Sequence, residues 1–213
     1  YLRDLTPVMV VAYSPHVLCT HPSLPVRSVK ELIALARQRP GQLNFAASLA
    51  GAPLMAGLDF ANRAGIKWVY ITGRGGMQTI MDVVTGQADA FFNGMLPTVP
   101  HIKSGRLRLL AVSSEKRVAS MPEAPTIAES GMPGFLTGSW QGVLAPAGTP
   151  PEIVAKLHAE MSRALGLVDI KDKLAQQGTD PRYTSPAETA KAMQAERERL
   201  VKLIRETNFK PGQ

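Results

Sequence analysis

Short apolar runs alternate along this chain with stretches in which apolar residues recur every three or four positions. The apolar runs have the length of β-strands, and they lie at residues 8–12, 17–20, 43–47, 68–71, 88–92 and 107–112. Helical periodicity follows several of them, as at Met77, Ile80, Met81 and Val84. This alternation predicts the α/β class, with a central, mostly parallel sheet flanked by helices.

Capping residues indicate where the helices begin. Ser28 with Glu31, Thr126 with Glu129 and Ser185 with Glu188 have the spacing of capping boxes. Thr149, followed by two prolines and a glutamate, is predicted to cap a further helix.

The last third of the chain differs from the rest. After a strand at residues 138–145 the pattern predicts three helices, and apolar faces include Ile153, Leu157, Leu200 and Val201. Three helices with one strand do not make a balanced domain, because their apolar faces need a sheet to pack against.

Small or polar residues follow several of the strands. Residues 44–53, 73–76 and 91–94 form such turns, helical patterns follow the first two, and residues 100–107 are predicted to form a fourth loop. Open α/β sheets bind ligands at strand-to-helix turns, because free backbone N–H groups point out of the helix start. The pattern therefore predicts a binding cleft.

Composition and charge argue against some classes of protein. The chain has 213 residues, of which 45% are hydrophobic and 19% charged, and its net charge is +7. The basic residues are scattered and alternate with acids at residues 196–199, so the pattern argues against nucleic-acid binding. No apolar run approaches the roughly 20 residues of a membrane helix.

No residue cluster indicates catalysis, a metal or a cofactor. His16, Cys19 and His21 are close in sequence, but a strand places His16 on the opposite face from the other two. A half-buried strand cysteine beside a surface histidine is the favoured interpretation, and the glycines of residues 73–76 lack the Lys-Ser/Thr of a phosphate loop. We expect a protein that is not an enzyme.

Five segments resemble the periplasmic substrate-binding receptors of tripartite tricarboxylate transporters, the Bug or TctC-type family. They are residues 4–8, 21–36, 99–114, 125–135 and 139–150, and the resemblance covers essentially the whole chain. It implies a type II periplasmic-binding-protein fold whose two lobes close on a small carboxylate in an interlobe cleft. A membrane transporter would then take up the ligand.

The resemblance also implies an organisation into lobes. Residues 13–135 would form lobe 2, whereas residues 1–12 and 136–213 would be the remnant of a lobe 1 that is incomplete at its N-terminus. Self-association through the exposed lobe 1 helices is then expected. The alternatives are the ligand-sensing effector domain of a LysR-like regulator and a sensor accessory to a signalling system.

The family's ligand-binding turns identify candidate site residues. Ser48 and Gly51 match the first turn, whereas Leu49, Ala50 and Ala52 replace polar residues or glycine, which predicts a more apolar pocket. The predicted ligand-binding residues are Ser14, Ser48, Gly51, Ala52, Pro53, Thr72, Arg74 and Asn93.

Two of these residues have more specific expectations, and three other positions are of interest. Arg74 would either bind a carboxylate or lie solvated in a loop, and Asn93, where the family usually has Asp, favours a ligand without an amino group. Tyr13 and His16 could add polar contacts, and Trp140 is expected to be a core aromatic residue.

Overall fold

The computed structural model describes residues 3–48, 51–73, 75–176 and 179–209. The chain forms two compact units: unit 1 consists of residues 1–14 and 140–202, and unit 2 of residues 15–139 and 203–213. The lobe boundaries that the resemblance implies stay a prediction. No helix in the described ranges is long and apolar enough to cross a membrane.

Unit 2 is built around strands in the order β3-β2-β4-β1-β5, with β1 shared with unit 1. The strands are β1 (Leu5–Thr20), β2 (Asn44–Ser48), β3 (Val69–Gly73), β4 (Ala90–Gly94) and β5 (Arg108–Val112). The helices are α1 (Val29–Gln38), α2 (Ala52–Ala64), α3 (Gly76–Val84) and α4 (Met95–Lys103). The predicted α/β class is confirmed.

Strand β1 differs from the prediction in two ways. It is one strand of 16 residues rather than two runs, because its two halves have different partners: Ala12 and Tyr13 pair with β7, and residues from His16 pair with β4 and β5. It also runs antiparallel to these neighbours, whereas β2 is parallel to β3 and β4. The ladders are therefore mixed, and the expectation of a mostly parallel sheet is corrected.

Alternation along the strands explains the two hydrophobic clusters of unit 2. Phe45 and Ala47 of β2 belong to one cluster, and Ala46 between them belongs to the other. The first cluster includes the aromatic rings of Phe60, Trp68, Phe92 and Phe135, and the second includes Ile80, Val83, Phe91 and Met95. Each face of the sheet thus has its own apolar core.

Two helix starts are confirmed by their hydrogen bonds. The Ser28 hydroxyl accepts from the backbone N–H of Glu31 at 3.2 Å, and Ser185 caps α7 (Pro186–Thr207) through the N–H of Glu188, also at 3.2 Å. At the third box Thr126 and Glu129 form the reciprocal bonds, but the chain makes only a turn. The helix predicted there is wrong, because a single turn closes with the bond from the Ser130 N–H to the Thr126 carbonyl and Gly131, at φ +111°, then redirects the chain.

Two other local predictions are wrong. Thr149 does not cap α5 (Pro151–Leu165), because its hydroxyl donates instead to the carbonyl of Pro146. The loop predicted at residues 100–107 begins inside α4, which continues through Pro100 to Lys103. Burial of Met95 in the second cluster outweighs the poor helix propensity of this proline.

Unit 1 contains the amino-terminal part of β1 with most of β6 (Gly138–Pro146), β7 (Asp180–Pro181), α5, α6 (Val168–Gln176) and most of α7. Its buried cluster consists of Val8, Ala145 and Val154, with Val143 and Met161 packed against it. Three residues predicted to face inward, Ile153, Leu157 and Val201, are exposed instead. The sequence did not indicate β7, which has only two residues.

Candidate functional site

Three parallel strands of unit 2 end at the same edge of the sheet. Ser48 at the end of β2 lies beside Gly73 at the end of β3, and β4, parallel to β2, ends at Gly94. We call this the carboxyl edge. Helices α2, α3 and α4 begin within four residues of these strand ends, so their amino termini gather along the same edge.

The helix starts at the carboxyl edge carry unneutralised positive dipole ends. Each is preceded by glycine, namely Gly51, Gly75 and Gly94, and none of the three has a side-chain cap or an acidic residue in its first turn. The first N–H groups of a helix have no partner within the helix, and together with the dipole they attract anions. This edge is therefore suited to bind a carboxylate.

The structure brings four of the predicted site residues together at the start of α2. Gly51 has φ +133°, a conformation that favours glycine, and Ala52 and Pro53 open the helix. The Ser48 hydroxyl oxygen lies 3.7 Å from the point where a Gly51 side chain would begin. Pro53 has no N–H, so it occupies an early position at no cost in hydrogen bonds.

Asn93 lies at the same edge, at the second-to-last position of β4. Its side chain is 7% exposed, its Nδ2 donates to the carbonyl of Gly76 at 2.8 Å, and its Oδ1 accepts from the N–H of Gly94 at 2.8 Å. The amide therefore connects the end of β4 with the first residue of α3. Ligand contact by Asn93 stays a prediction.

Thr72 and Ser14 are described by their positions in β3 and β1. Thr72 pairs with Ala47 one position before the end of its strand, so its exposed side chain is on the opposite face from Ser48. Ser14 is buried in the part of β1 that belongs to unit 1. Arg74 lies outside the described residues, as do Leu49 and Ala50.

A buried polar network lies beside this site and was only partly foreseen. His16, paired with Gly94, is fully buried, and its Nε2 lies 3.1 Å from the Ser139 hydroxyl. The Ser113 N–H donates to the His16 carbonyl at 2.9 Å, and the Ser113 hydroxyl bonds the His16 N–H and the Thr137 carbonyl. The position of Ser113 directly after β5 was the only sequence signal for this network.

The network has a consequence for the charge of His16. Burial lowers the pKa of His16 from 6.5 to about 4, so the ring is neutral at pH 7. Because Nδ1 has no hydrogen-bond partner in the described ranges, nothing there offsets the cost of a charged imidazolium. His16 therefore shapes the edge as a neutral, internal group.

The structure also describes the surroundings of Cys19, Trp140 and Tyr13. Cys19 is fully buried rather than half-buried, and burial raises the pKa of its thiol. Trp140 is 40% exposed, so its predicted core position is wrong, and its ring instead covers Gly142. The Tyr13 ring lies 5.7 Å from the guanidinium carbon of Arg182.

Metal binding and thiol chemistry were two further possibilities for the described residues. Among them no three histidine, cysteine, aspartate or glutamate side chains form a group that could hold a metal ion. A buried thiol with a raised pKa is a poor nucleophile and a poor metal ligand, because both roles need the thiolate.

Comparison with known proteins connects this geometry to a family. The family model described as tripartite tricarboxylate transporter family receptor matches residues 1–209. The protein BugT of Bordetella pertussis is 36% identical over 211 residues, which are 98% of this chain and 64% of that protein. A protein of Pseudomonas sp. strain P51 is 34% identical over 99% of this chain and 63% of its own length. The chain thus spans less than two thirds of these relatives.

Comparison with solved structures gives the same result. The R. palustris protein Rpa4515, solved with adipate, has a TM-score of 0.89 and 34% identity, with 96% of this chain and 69% of that chain covered. MatC of Rhodopseudomonas palustris, solved with bound malate, has a TM-score of 0.84 and 27% identity, with 94% and 69% covered. The chain therefore belongs to the family of tripartite tricarboxylate transporter receptors.

Proposed function

We propose that this protein is an extracytoplasmic solute receptor that binds a small carboxylated metabolite and delivers it to membrane transporter subunits. The observation that carries the proposal is the gathering of three uncapped helix starts at the carboxyl edge of unit 2. Family membership, and relatives solved with adipate and malate, support the same ligand class. The periplasm is the proposed location.

The ligand carboxylate would lie at the start of α2. Backbone N–H groups from Gly51 onward would donate to its oxygens, and the helix dipole would add on the order of 0.3–1 kcal/mol. The first turns of α2, α3 and α4 carry no acidic residue that would repel the anion. The nearby Asp82 carboxylate, 3.5 Å from where a Gly73 side chain would begin, accepts a bond from the Gln78 amide at 2.7 Å. Ser14, Ser48, Thr72 and Arg74 remain proposed polar contacts.

Calorimetric titration of the protein with adipate, malate and a panel of mono-, di- and aromatic carboxylates tests this function. The matched control for adipate is adipamide, which has the same carbon chain and no charge. We expect saturable binding of at least one acid and none of the amide, because the site offers donors and a positive dipole end. Equal binding of acid and amide, or no binding by any acid, would contradict the proposal.

A pair of glycine variants locates the site. Gly51→Ala places a side chain beside the α2 start, at a residue with φ +133°. Gly134→Ala also adds a side chain at a positive φ, +70°, but at a position where nothing lies within 4 Å. Both substitutions strain the backbone, but only the first disturbs the proposed donors. We expect Gly51→Ala to weaken carboxylate binding about tenfold or more and Gly134→Ala to leave it unchanged.

A further inference from the structure

The hydrogen bonds of Asn93 indicate its role more closely than its position in β4 does. The side chain is almost completely buried, and a buried amide needs partners for its polar atoms. Only one orientation of the amide gives both neighbouring backbone groups a partner. In this orientation Nδ2 donates to the Gly76 carbonyl and Oδ1 accepts from the Gly94 N–H, each at 2.8 Å. An Asn here is therefore matched to one acceptor and one donor of the backbone.

The Gly76 carbonyl belongs to the first residue of α3, so the bond from Asn93 holds that helix start against β4. Other contacts also bear on this helix start: the Thr79 hydroxyl donates to the Gly75 carbonyl at 3.1 Å, and Ile80 and Val83 pack α3 into the second cluster. The bond from Asn93 links the first residue of α3 to β4. The position of the α3 N–H groups at the carboxyl edge therefore depends in part on this side-chain amide.

We propose that Asn93 is a positioning residue of the carboxylate site: it acts on the ligand through Gly76, by fixing where the α3 start lies beside the α2 start. This inference rests on the proposed function. It also accounts for an amide at this position, because a carboxylate would set two acceptors against each other at Gly76. An Asp side chain could keep the bond from Gly94 but not the bond to Gly76.

Two variants of Asn93 and one control test the proposal. Asn93→Asp replaces the donor by a charged acceptor, Asn93→Ala removes both bonds without adding charge, and Asn62→Asp repeats the charge change at an exposed position near the end of α2. Adipate and malate are the probes, and dissociation constants are measured by calorimetry. At about pH 7 we expect both Asn93 variants to bind about tenfold more weakly than the wild type and Asn62→Asp to bind equally well.

Acidification separates positioning from a loss of fold. Burial beside the Gly76 carbonyl should raise the pKa of the carboxyl introduced by Asn93→Asp, so that at about pH 5 it is protonated in part and can donate to Gly76. Its affinity relative to the wild type should then recover. Ionisation of the ligand is common to both proteins and cancels in this ratio. The relative affinity of Asn93→Ala should stay low at both pH values, because alanine has no proton to donate.

Hydrogen exchange in the ligand-free protein separates positioning from direct contact. Loss of the Gly76 bond should speed exchange of the first hydrogen-bonded amides of α3, at residues 79–82, in Asn93→Ala and leave the start of α2 unchanged, whereas a residue that only touches ligand would alter neither. Unchanged exchange at residues 79–82, or wild-type affinity of Asn93→Ala, would overturn this inference. If the wild type bound no carboxylate, the proposed function would fail instead, and the exchange result would still stand.

Discussion

Units 1 and 2 are built from the same kinds of elements but bury very different amounts of apolar surface. The strands of unit 2 have a hydrophobic cluster on each face, whereas the cluster of unit 1 has three buried residues. Large apolar side chains of unit 1 remain exposed, namely Trp140, Ile153, Leu157, Leu167, Val168, Tyr183 and Val201. Helical periodicity thus tells which face is apolar but not what covers it.

The comparison also separates the sources of stability. In unit 2, burial of aromatic rings between sheet and helices supplies the main favourable term. In unit 1 the buried cluster is smaller, so this term is smaller. Substitutions of similar size should therefore have large effects in unit 2 and small ones in unit 1.

The largest contrast is expected between Phe60→Ala in unit 2 and Leu157→Ala in unit 1. The Phe60 ring is fully buried, with its centroid 5.6 Å from Trp68 and 5.7 Å from Phe92, whereas Leu157 is 40% exposed. Phe60→Ala should lower the free energy of unfolding by about 3–5 kcal/mol and Leu157→Ala by less than about 1 kcal/mol. Urea denaturation measures both, and equal losses would show that α5 is covered as completely as α2.

Acid should destabilise the protein through His16 of unit 2. Because burial lowers its pKa from 6.5 to about 4, the unfolded chain binds more protons between these pH values than the folded protein does. Above pH 6.5 the neutral His16 does not reduce the free energy of unfolding. This free energy should fall by about 3 kcal/mol as the pH approaches 4. Urea denaturation across this range should show the loss in the wild type and a smaller one in His16→Gln.

The two tryptophans make the acid experiment specific to each unit. Trp68 is buried in unit 2 and Trp140 lies in unit 1, and the chain contains no other tryptophan. Fluorescence of Trp140→Phe therefore reports unit 2 alone. An identical acid profile for His16→Gln and the wild type in this background would contradict the assignment of the effect to His16.

The helix caps should contribute equally in both units. Ser28→Ala removes the cap of α1 in unit 2, and Ser185→Ala removes the cap of α7 in unit 1. Each should lower the free energy of unfolding by about 1 kcal/mol, because a cap satisfies local N–H groups whatever packs beyond them. A much larger loss for one of the two, measured by urea denaturation, would show that its helix start has a further structural role.

The sequence predicted features whose cause is local. The α/β class, the strand positions of unit 2 and the caps at Ser28 and Ser185 follow from side-chain periodicity and from bonds across three residues. The turn at Ser48 and Gly51 was identified by resemblance, and the structure places both at the start of α2.

Features whose cause is distant in sequence were not predicted. The strand through Tyr13 and His16 is continuous because of partners about 80 or more residues away, and α4 persists through Pro100 because its apolar side packs into a cluster. The hydrogen bond of the Asn93 amide reaches Gly76, 17 residues earlier in the chain. Residue types alone could not reveal this bond.

The smallest effect is expected for an exposed ion pair of unit 1. Glu196 and Arg199 of α7 are 2.9 Å apart and both more than a third exposed, so water and salt screen their attraction. Glu196→Gln should change the free energy of unfolding by less than about 0.5 kcal/mol.

The matched pair in unit 2 is Asp59 and Arg63 of α2, 2.8 Å apart, with Asp59 only 8% exposed and the Arg63 guanidinium 5.5 Å from the Phe135 ring centroid. Asp59→Asn should cost more than Glu196→Gln, because the buried carboxylate is less screened and its partner is held by the aromatic cluster. Urea denaturation of both variants in low and in high salt measures the two losses of stability and their dependence on salt. Equal, strongly salt-dependent losses would mean that burial does not distinguish the two units at the level of single charges.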